Sequence, residues 1–193
     1  MTAERPSISG PSFPSLEALI ARAERAGSGT PPVEKWNPPF CGTIDMTIRA
    51  DGTWTYLGSP ITREALVRLF ASVLRKDEDG RTYLVTPVEK LGVQVEDAHF
   101  LAVEMSRDED PSGPVLTFRT NVGDVVTAGP NHPLRFVSRG EGGSFEPYLS
   151  VRGRLEAKLT RALAFDLAGL LGDDEDGPFL RSNGARFAVG GAA

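Results

Sequence analysis

The hydrophobic residues change their period several times along the chain, and each change marks an element. Leu16, Leu19, Ile20 and Ala23 recur at helical spacing behind Ser15, a good N-cap, with Gly27 where such a helix stops. GSGTPPVEKWNPPF comes next as a linker whose prolines forbid helix. From Cys41 the period becomes two, Ile44, Met46 and Ile48 alternating with Thr43, Asp45 and Thr47 as in a half-buried strand. Asp51-Gly52 predicts a tight hairpin turn, and Trp54 and Tyr56 stand on the return strand. After Gly58-Ser59-Pro60 a second helix is predicted, capped by Thr62, with Leu66, Leu69, Phe70 and Val73 on one face and Lys76-Asp77-Glu78-Asp79-Gly80 at its end.

The middle of the chain is mostly strand. RTYLVT, LGVQVE, HFLAVEMS, PVLTFRT, DVVTAG and LRFVS are short β-rich runs divided by Pro, Gly, Asn and Asp, enough for a small, strongly bent sheet. The chain is then read as helix from Arg152, where Leu155, Leu159, Ala162, Leu163 and Leu170 make an apolar stripe. RDED and GDDEDG read as solvated acidic loops, and RFAV as a last strand. Residues 1–14, rich in Pro, Ser and Gly and without periodicity, read as a mobile arm.

Two segments echo each other. YLGSPITREA, beginning at Tyr56, and YLSVRGRLEA, beginning at Tyr148, both place six residues between Tyr-Leu and Glu-Ala, and each is read as strand running into helix. The expectation is an α+β fold with an internal duplication: two small sheets, each packed with one long helix. The division runs 1–30 for the arm and first helix, 31–86 for an N-terminal α+β domain and 87–193 for a C-terminal one. Small-ligand pockets tend to lie at such junctions.

Composition narrows the classes. A chain of 193 residues, 40% hydrophobic and 24% charged, has the makeup of a globular protein. Cys41 is the single cysteine, so no intramolecular disulfide forms and no thiolate zinc cluster is built, which fits a reducing cytoplasm. The first residues lack a secretory layout, and no apolar run approaches the roughly 18–20 residues that cross a bilayer; no membrane role is expected. A formal net charge of −5 argues against nucleic acid as a partner, since that affinity rests on neutralising many phosphates.

The segments PPFCGTIDMTIRADGTWTYLGSPITREALVRLF, YLVTPVEKLGVQVEDAHF, LTFRTNVGDVVTAGPNHPLRF and PYLSVRGRLEAKLTRAL, in this order, resemble the domain-of-unknown-function family 1285 of bacterial cytosolic proteins, over residues from about Trp36 to Ala188. The resemblance implies a duplicated α+β core, a C-terminal half loosely like a pleckstrin-homology fold, and a nucleotide-like ligand at the domain interface with a role in signal transduction. One departure is His99, where the family pattern has proline.

Candidate chemistry gathers at the two predicted strand-to-helix junctions. Arg152 and Arg154 stand at a predicted helix start, where the dipole disfavours cations by typically ~0.3–1 kcal/mol, and Arg63 is placed similarly in the first half. A bound phosphate or carboxylate would offset that through free N–H groups and guanidinium forks; so would pairing with Glu156 or Glu64. Trp54, Tyr56 and Tyr148 precede these junctions and either stack a base or pack in the core. Trp36 is expected to clamp the halves together. Glu89 and Lys90 either orient a ligand's polar groups or form an exposed turn pair. Asn121 is a hairpin residue or an amide that reads a ligand edge, and Arg135 follows the loop that carries His132. The histidines lie on separate segments and define no metal site; Cys41 is expected to be a small core residue, and no cofactor is implied.

These residues favour a non-catalytic protein that binds a small anionic, nucleotide-like ligand between its halves. One rival is a hydrolase of a phosphorylated small molecule with Glu89 as general base, weakened by the lack of a phosphate loop, nucleophile elbow or metal ligands. Another is a protein-interaction module whose pleckstrin-like half takes a partner helix or strand.

Overall fold

The computed structural model describes residues 16–25, 30–111, 113–139 and 144–190. The arm read over residues 1–14, the cap at Ser15 and the stop at Gly27 lie outside them.

The period-two pattern is realised in β1 (Phe40–Ile48), which buries Ile44, Met46 and Ile48 and exposes Asp45. At the turn Gly52 adopts φ 82°, and the Thr53 N–H donates to Asp51 Oδ1 at 2.9 Å. β2 (Trp54–Tyr56) returns antiparallel with Trp54 opposite Ile48, and β3 (Ser59–Pro60) comes after it. Helix α2 (Glu64–Ser72) then buries Phe70 and Ala71. Its N-cap is Arg63, with no side-chain capping bond, and not Thr62. Helix α1 (Leu16–Arg25) packs on α2 through Leu19 and Ala23. Strands β4 (Leu74–Lys76), β5 (Thr82–Val85) and β6 (Lys90–Val95) complete a six-stranded sheet of order β3-β2-β1-β6-β5-β4.

The second sheet is built from β7 (Phe100–Asp110), β8 (Gly113–Thr120), β9 (Val125–Thr127), β10 (Leu134–Arg139), β11 (Ser144–Arg152) and β12 (Leu155–Leu159), in the order β10-β11-β12-β7-β8-β9. Each strand of the first sheet has a counterpart six strands later with the same neighbours. In both sheets a meander runs from the centre to one edge, a second meander returns from the other edge, and the first and last strands pair in parallel at the centre. Every other pairing within the two sheets is antiparallel. The duplication is therefore written in the topology.

That topology corrects the sequence alignment of the repeat. Tyr56 ends β2 whereas Tyr148 lies in β11, whose counterpart is β5. Tyr83-Leu84 of β5 and Tyr148-Leu149 of β11 stand on corresponding strands, and each tyrosine ring lies under a lysine of the next strand, Lys90 at 4.5 Å and Lys158 at 5.8 Å. The boundary placed between residues 86 and 87 cuts the β5–β6 hairpin, so the first unit continues through β6.

The helix read from Arg152 is instead a hairpin and a strand. Gly153, at φ 51°, turns β11 into β12, where Leu155, Ala157 and Leu159 alternate inward. Helix begins only at α3 (Arg161–Ala168), capped by Thr160, whose hydroxyl accepts the Leu163 N–H. Neither half carries the expected long helix: the first holds α1 and α2, and the second holds the eight-residue α3. The acidic runs are not loops either. RDED prolongs β7 to Asp110, and GDDEDG supplies β13 (Gly172–Asp174), the turn at Glu175-Asp176 and the first residue of β14 (Gly177–Ser182). With β15 (Ala185–Ala188) these make a three-stranded sheet held to β8 by Ser182, which accepts the Leu116 N–H at 2.9 Å and donates to the Ala128 carbonyl at 2.8 Å. One contiguous apolar core runs through both halves, from Met46, Trp54 and Phe70 to Phe100, Phe118, Leu149 and Leu167.

Candidate functional site

Three turns converge where the halves meet, and they enclose an open groove of about 480 Å³. The first is the linker around a 3-10 turn (Val33–Lys35), which supplies Glu34, Lys35, Trp36 and Asn37. The second is the β4–β5 hairpin with Arg75, Asp77, Glu78 and Asp79, and the third is the β11–β12 hairpin with Arg154.

Arg75 fixes the linker. Its guanidinium is buried, donates from Nη1 to the carbonyls of Val33 and Trp36 at 2.7 Å each, and pairs through Nε with Asp77 at 2.6 Å. Lys90 completes the set by donating to Asp77 at 2.7 Å. Burial raises the Asp77 carboxyl, but hydrogen bonds from Arg75 and Lys90 outweigh it and hold its pKa below the ordinary value. Asp79 is lowered as well, by the Tyr83 hydroxyl and the Arg81 N–H. Both carboxylates are ionised and committed to their neighbours, which suits them to building a wall and not to accepting a proton.

Across the groove Arg154 reaches Glu78 at 2.8 Å, with side chains 51% and 87% exposed. A pair so open to water is worth under about 1 kcal/mol. Gly153 brings the hairpin up to the linker, its open face toward the exposed Glu34 carboxylate. Behind the groove His99 joins the halves. Its Nδ1 accepts the Glu156 N–H at 3.1 Å, so its proton sits on Nε2 and is given to Thr82 Oγ1, also at 3.1 Å.

Of the residues singled out from the sequence, the groove takes Arg154, with Lys90 behind it through Asp77 and with Trp36 on the wall. The three arginines do not converge. Arg63 is exposed at the start of α2, whereas Arg152 donates to the Ala71 carbonyl (2.7 Å) in the last turn of that helix and to Asp124 (2.5 Å). Nine helical residues, about 13 Å, separate the two ends. Arg152 thus meets the negative end of a helix dipole, the reverse of the expected placement. Its guanidinium also lies 4.9 Å from the Phe100 ring centre.

Trp54 and Tyr56 are core residues of the first half, 1% and 6% exposed. The Trp54 Nε1 has no hydrogen-bond partner among the described residues, and burial with Asp45 nearby pushes the Tyr56 hydroxyl up. Glu89 is not an exposed turn residue: it is buried and held by both oxygens on Arg22 of α1, at 2.7 and 2.9 Å. Asn121 closes the β8–β9 turn onto β7, exchanging hydrogen bonds with Leu101. Arg135 lies over the Tyr148 ring at 4.4 Å and pairs with Glu156. Tyr148 donates to Asp97 (2.8 Å), and Lys158 bridges Asp97 and Glu146 (2.7 Å each). Burial lowers the Lys158 pKa, but those two carboxylates override it and raise it. That cluster is closed on itself. Cys41 is exposed, contrary to its reading as a core residue.

The comparisons follow this division. The family model "Domain of unknown function (DUF1285), N-terminal domain" matches residues 31–98, and "Protein of unknown function (DUF1285), C-terminal domain" matches residues 99–189. The chain belongs to the DUF1285 family. A crystal structure of a DUF1285 family protein from Silicibacter pomeroyi DSS-3 shares 44% identity over 91% of this chain and 94% of its own, with a TM-score of 0.83. Another, from Shewanella baltica OS155, shares 32% identity over 64% of this chain and 90% of its own, with a TM-score of 0.50. Comparison with curated proteins gave no match. In this DUF1285 chain the groove therefore takes its walls from both family domains, and the hydrogen bond from His99 to Thr82 crosses their boundary. Among the described residues no helix is long and apolar enough to cross a membrane.

Proposed function

We propose that this protein is a non-catalytic receptor for a small, anionic, nucleotide-like ligand, held in the groove between its halves and acting in signal transduction. The observation that carries the reading is the exposed Arg154–Glu78 pair across the groove. A ligand phosphate can replace the Glu78 carboxylate on Arg154 at little expense, because the pair it breaks is weak. Lys35 adds a second cation, and the half-buried Trp36 offers a ring beside them for a base. The exposed Glu34 on the same wall favours a ligand that also carries donors, as a base and a ribose do.

The second half is read as loosely pleckstrin-homology-like, a bent sheet followed directly by a helix that packs on β7 and β12. Since the core is continuous, occupancy would be felt in the two hairpins and the linker. Hydrolysis with Glu89 as general base is the weaker reading, because Arg22 covers that carboxylate.

Thermal unfolding with a panel of mono- and dinucleotides tests the proposal. At a concentration about 100-fold above Kd, a bound member stabilises the protein by about 2.7 kcal/mol. At least one member should raise Tm, and Arg154→Ala should remove the rise. A panel without effect at millimolar ligand, or a rise that survives the substitution, would contradict it.

A further inference from the structure

The C-terminal sheet leaves a second cavity where it folds back on the β7–β8 hairpin. It measures about 270 Å³ and shares no residue with the groove. Leu116, Leu171, Leu180 and the Phe179 ring form its walls, and Arg107 and Arg181 stand among them. The ring owes its position to Gly172, directly opposite in the β13–β14 pairing, where a Cβ would come within 2.7 Å of it. Arg181 and Arg186 lie over the same ring, 5.2 and 4.6 Å from its centre.

The three guanidiniums here are not equally engaged. Arg181 and Arg186 face each other in register across β14 and β15, an arrangement that like charges disfavour. Asp174 neutralises Arg186 at 2.6 Å, and Arg107 leans on Glu109 at 2.6 Å in a pair whose two side chains are about half exposed. Arg181 has no carboxylate partner among the described residues. An exposed guanidinium that no carboxylate holds, set beside a leucine-walled hollow, is available to an anionic head group.

We propose that this cavity binds a medium-chain acyl carboxylate, its tail on Leu116, Leu171, Leu180 and Phe179 and its head on the Arg181 guanidinium, with Arg107 in reach after it releases Glu109. The planar fork of arginine matches a carboxylate, and one unpaired cation balances one negative charge. At roughly the ~30 Å³ share of a water molecule per methylene, the 270 Å³ holds a chain of about nine carbons.

Calorimetric titration of the full chain with hexanoate, octanoate, decanoate and 1-octanol tests this. Affinity should rise about fourfold per added methylene until the cavity is full. Octanoate should bind at least tenfold more tightly than octanol. Arg181→Gln should lose that tenfold for octanoate and leave octanol unchanged, while Arg154→Ala in the groove should change neither. Because Arg181 is exposed and opposed by Arg186, the variant is expected to fold, and the octanoate–octanol contrast in the unmodified protein tests head-group recognition without it. Absence of binding by octanoate and decanoate at millimolar concentration, equal binding of acid and alcohol, or an unchanged octanoate affinity in Arg181→Gln would each overturn the proposal.

Discussion

His99 donates to the Thr82 hydroxyl across 3.1 Å, and this bond joins the two family domains through a ring that is only 4% exposed. Burial, with Lys76 and Arg152 nearby, outweighs the pull of Glu156 and pushes the His99 pKa down to about 4. A proton on Nδ1 would also break the bond from the Glu156 N–H.

The unfolded chain therefore takes up the proton first. Stability is complete above the ordinary value of about 6.5 and is lost as pH falls from there through about 4. Urea unfolding should show a loss of about 2–3 kcal/mol between pH 7.5 and pH 4.5. In His99→Gln that slope should flatten; an equal slope in both proteins would show that the ring is not its source.

Arg75→Met should destabilise the protein by about 3 kcal/mol, because it leaves Asp77 to Lys90 alone and frees two linker carbonyls together. Chemical denaturation at pH 7 measures the loss. A change below about 1 kcal/mol would mean that the linker holds without this guanidinium.

Gly153→Ala should cost about 1–2 kcal/mol, chiefly from its φ of 51°, because the Glu34 oxygen that its Cβ would meet is the exposed tip of a flexible side chain and can swing aside. Chemical denaturation measures the loss, and adding Glu34→Ala should recover little of it. A loss that Glu34→Ala largely restores would show that the backbone at Gly153 is not its source.

Much of the first half is legible in the sequence, because its signals are local. Ile44, Met46 and Ile48 alternate over a single buried face, and Asp51-Gly52 states its own turn. Leu155, Leu159 and Leu163 are spaced four apart, which satisfies a helix and equally a strand of period two that continues into a helix. Here the turn at Gly153 and the cap at Thr160 decide for the strand. Read as helix, the same spacing moves Arg152 and Arg154 onto a helix start that does not exist.

The groove itself is less legible. Trp36 and Arg154 stand out by type, but Arg75 acts through linker carbonyls about forty residues away, and remote backbone acceptors leave no mark in a sequence. Arg22 and Glu89 meet for the same reason unseen, across sixty-seven residues. The shared topology of the two sheets is likewise invisible to residue matching, since it lies in strand order and not in side chains.

The chain contains two tryptophans, Trp36 on the groove wall and Trp54 in the core, so its indole N–H resonances report on the two places separately. Titrating isotope-labelled protein with the nucleotide that most raises Tm, and assigning the peaks with Trp36→Phe, should move the Trp36 signal and leave that of Trp54 in place. Saturating ligand that leaves the Trp36 signal unmoved, or that shifts Trp54 alone, would contradict a binding site between the halves.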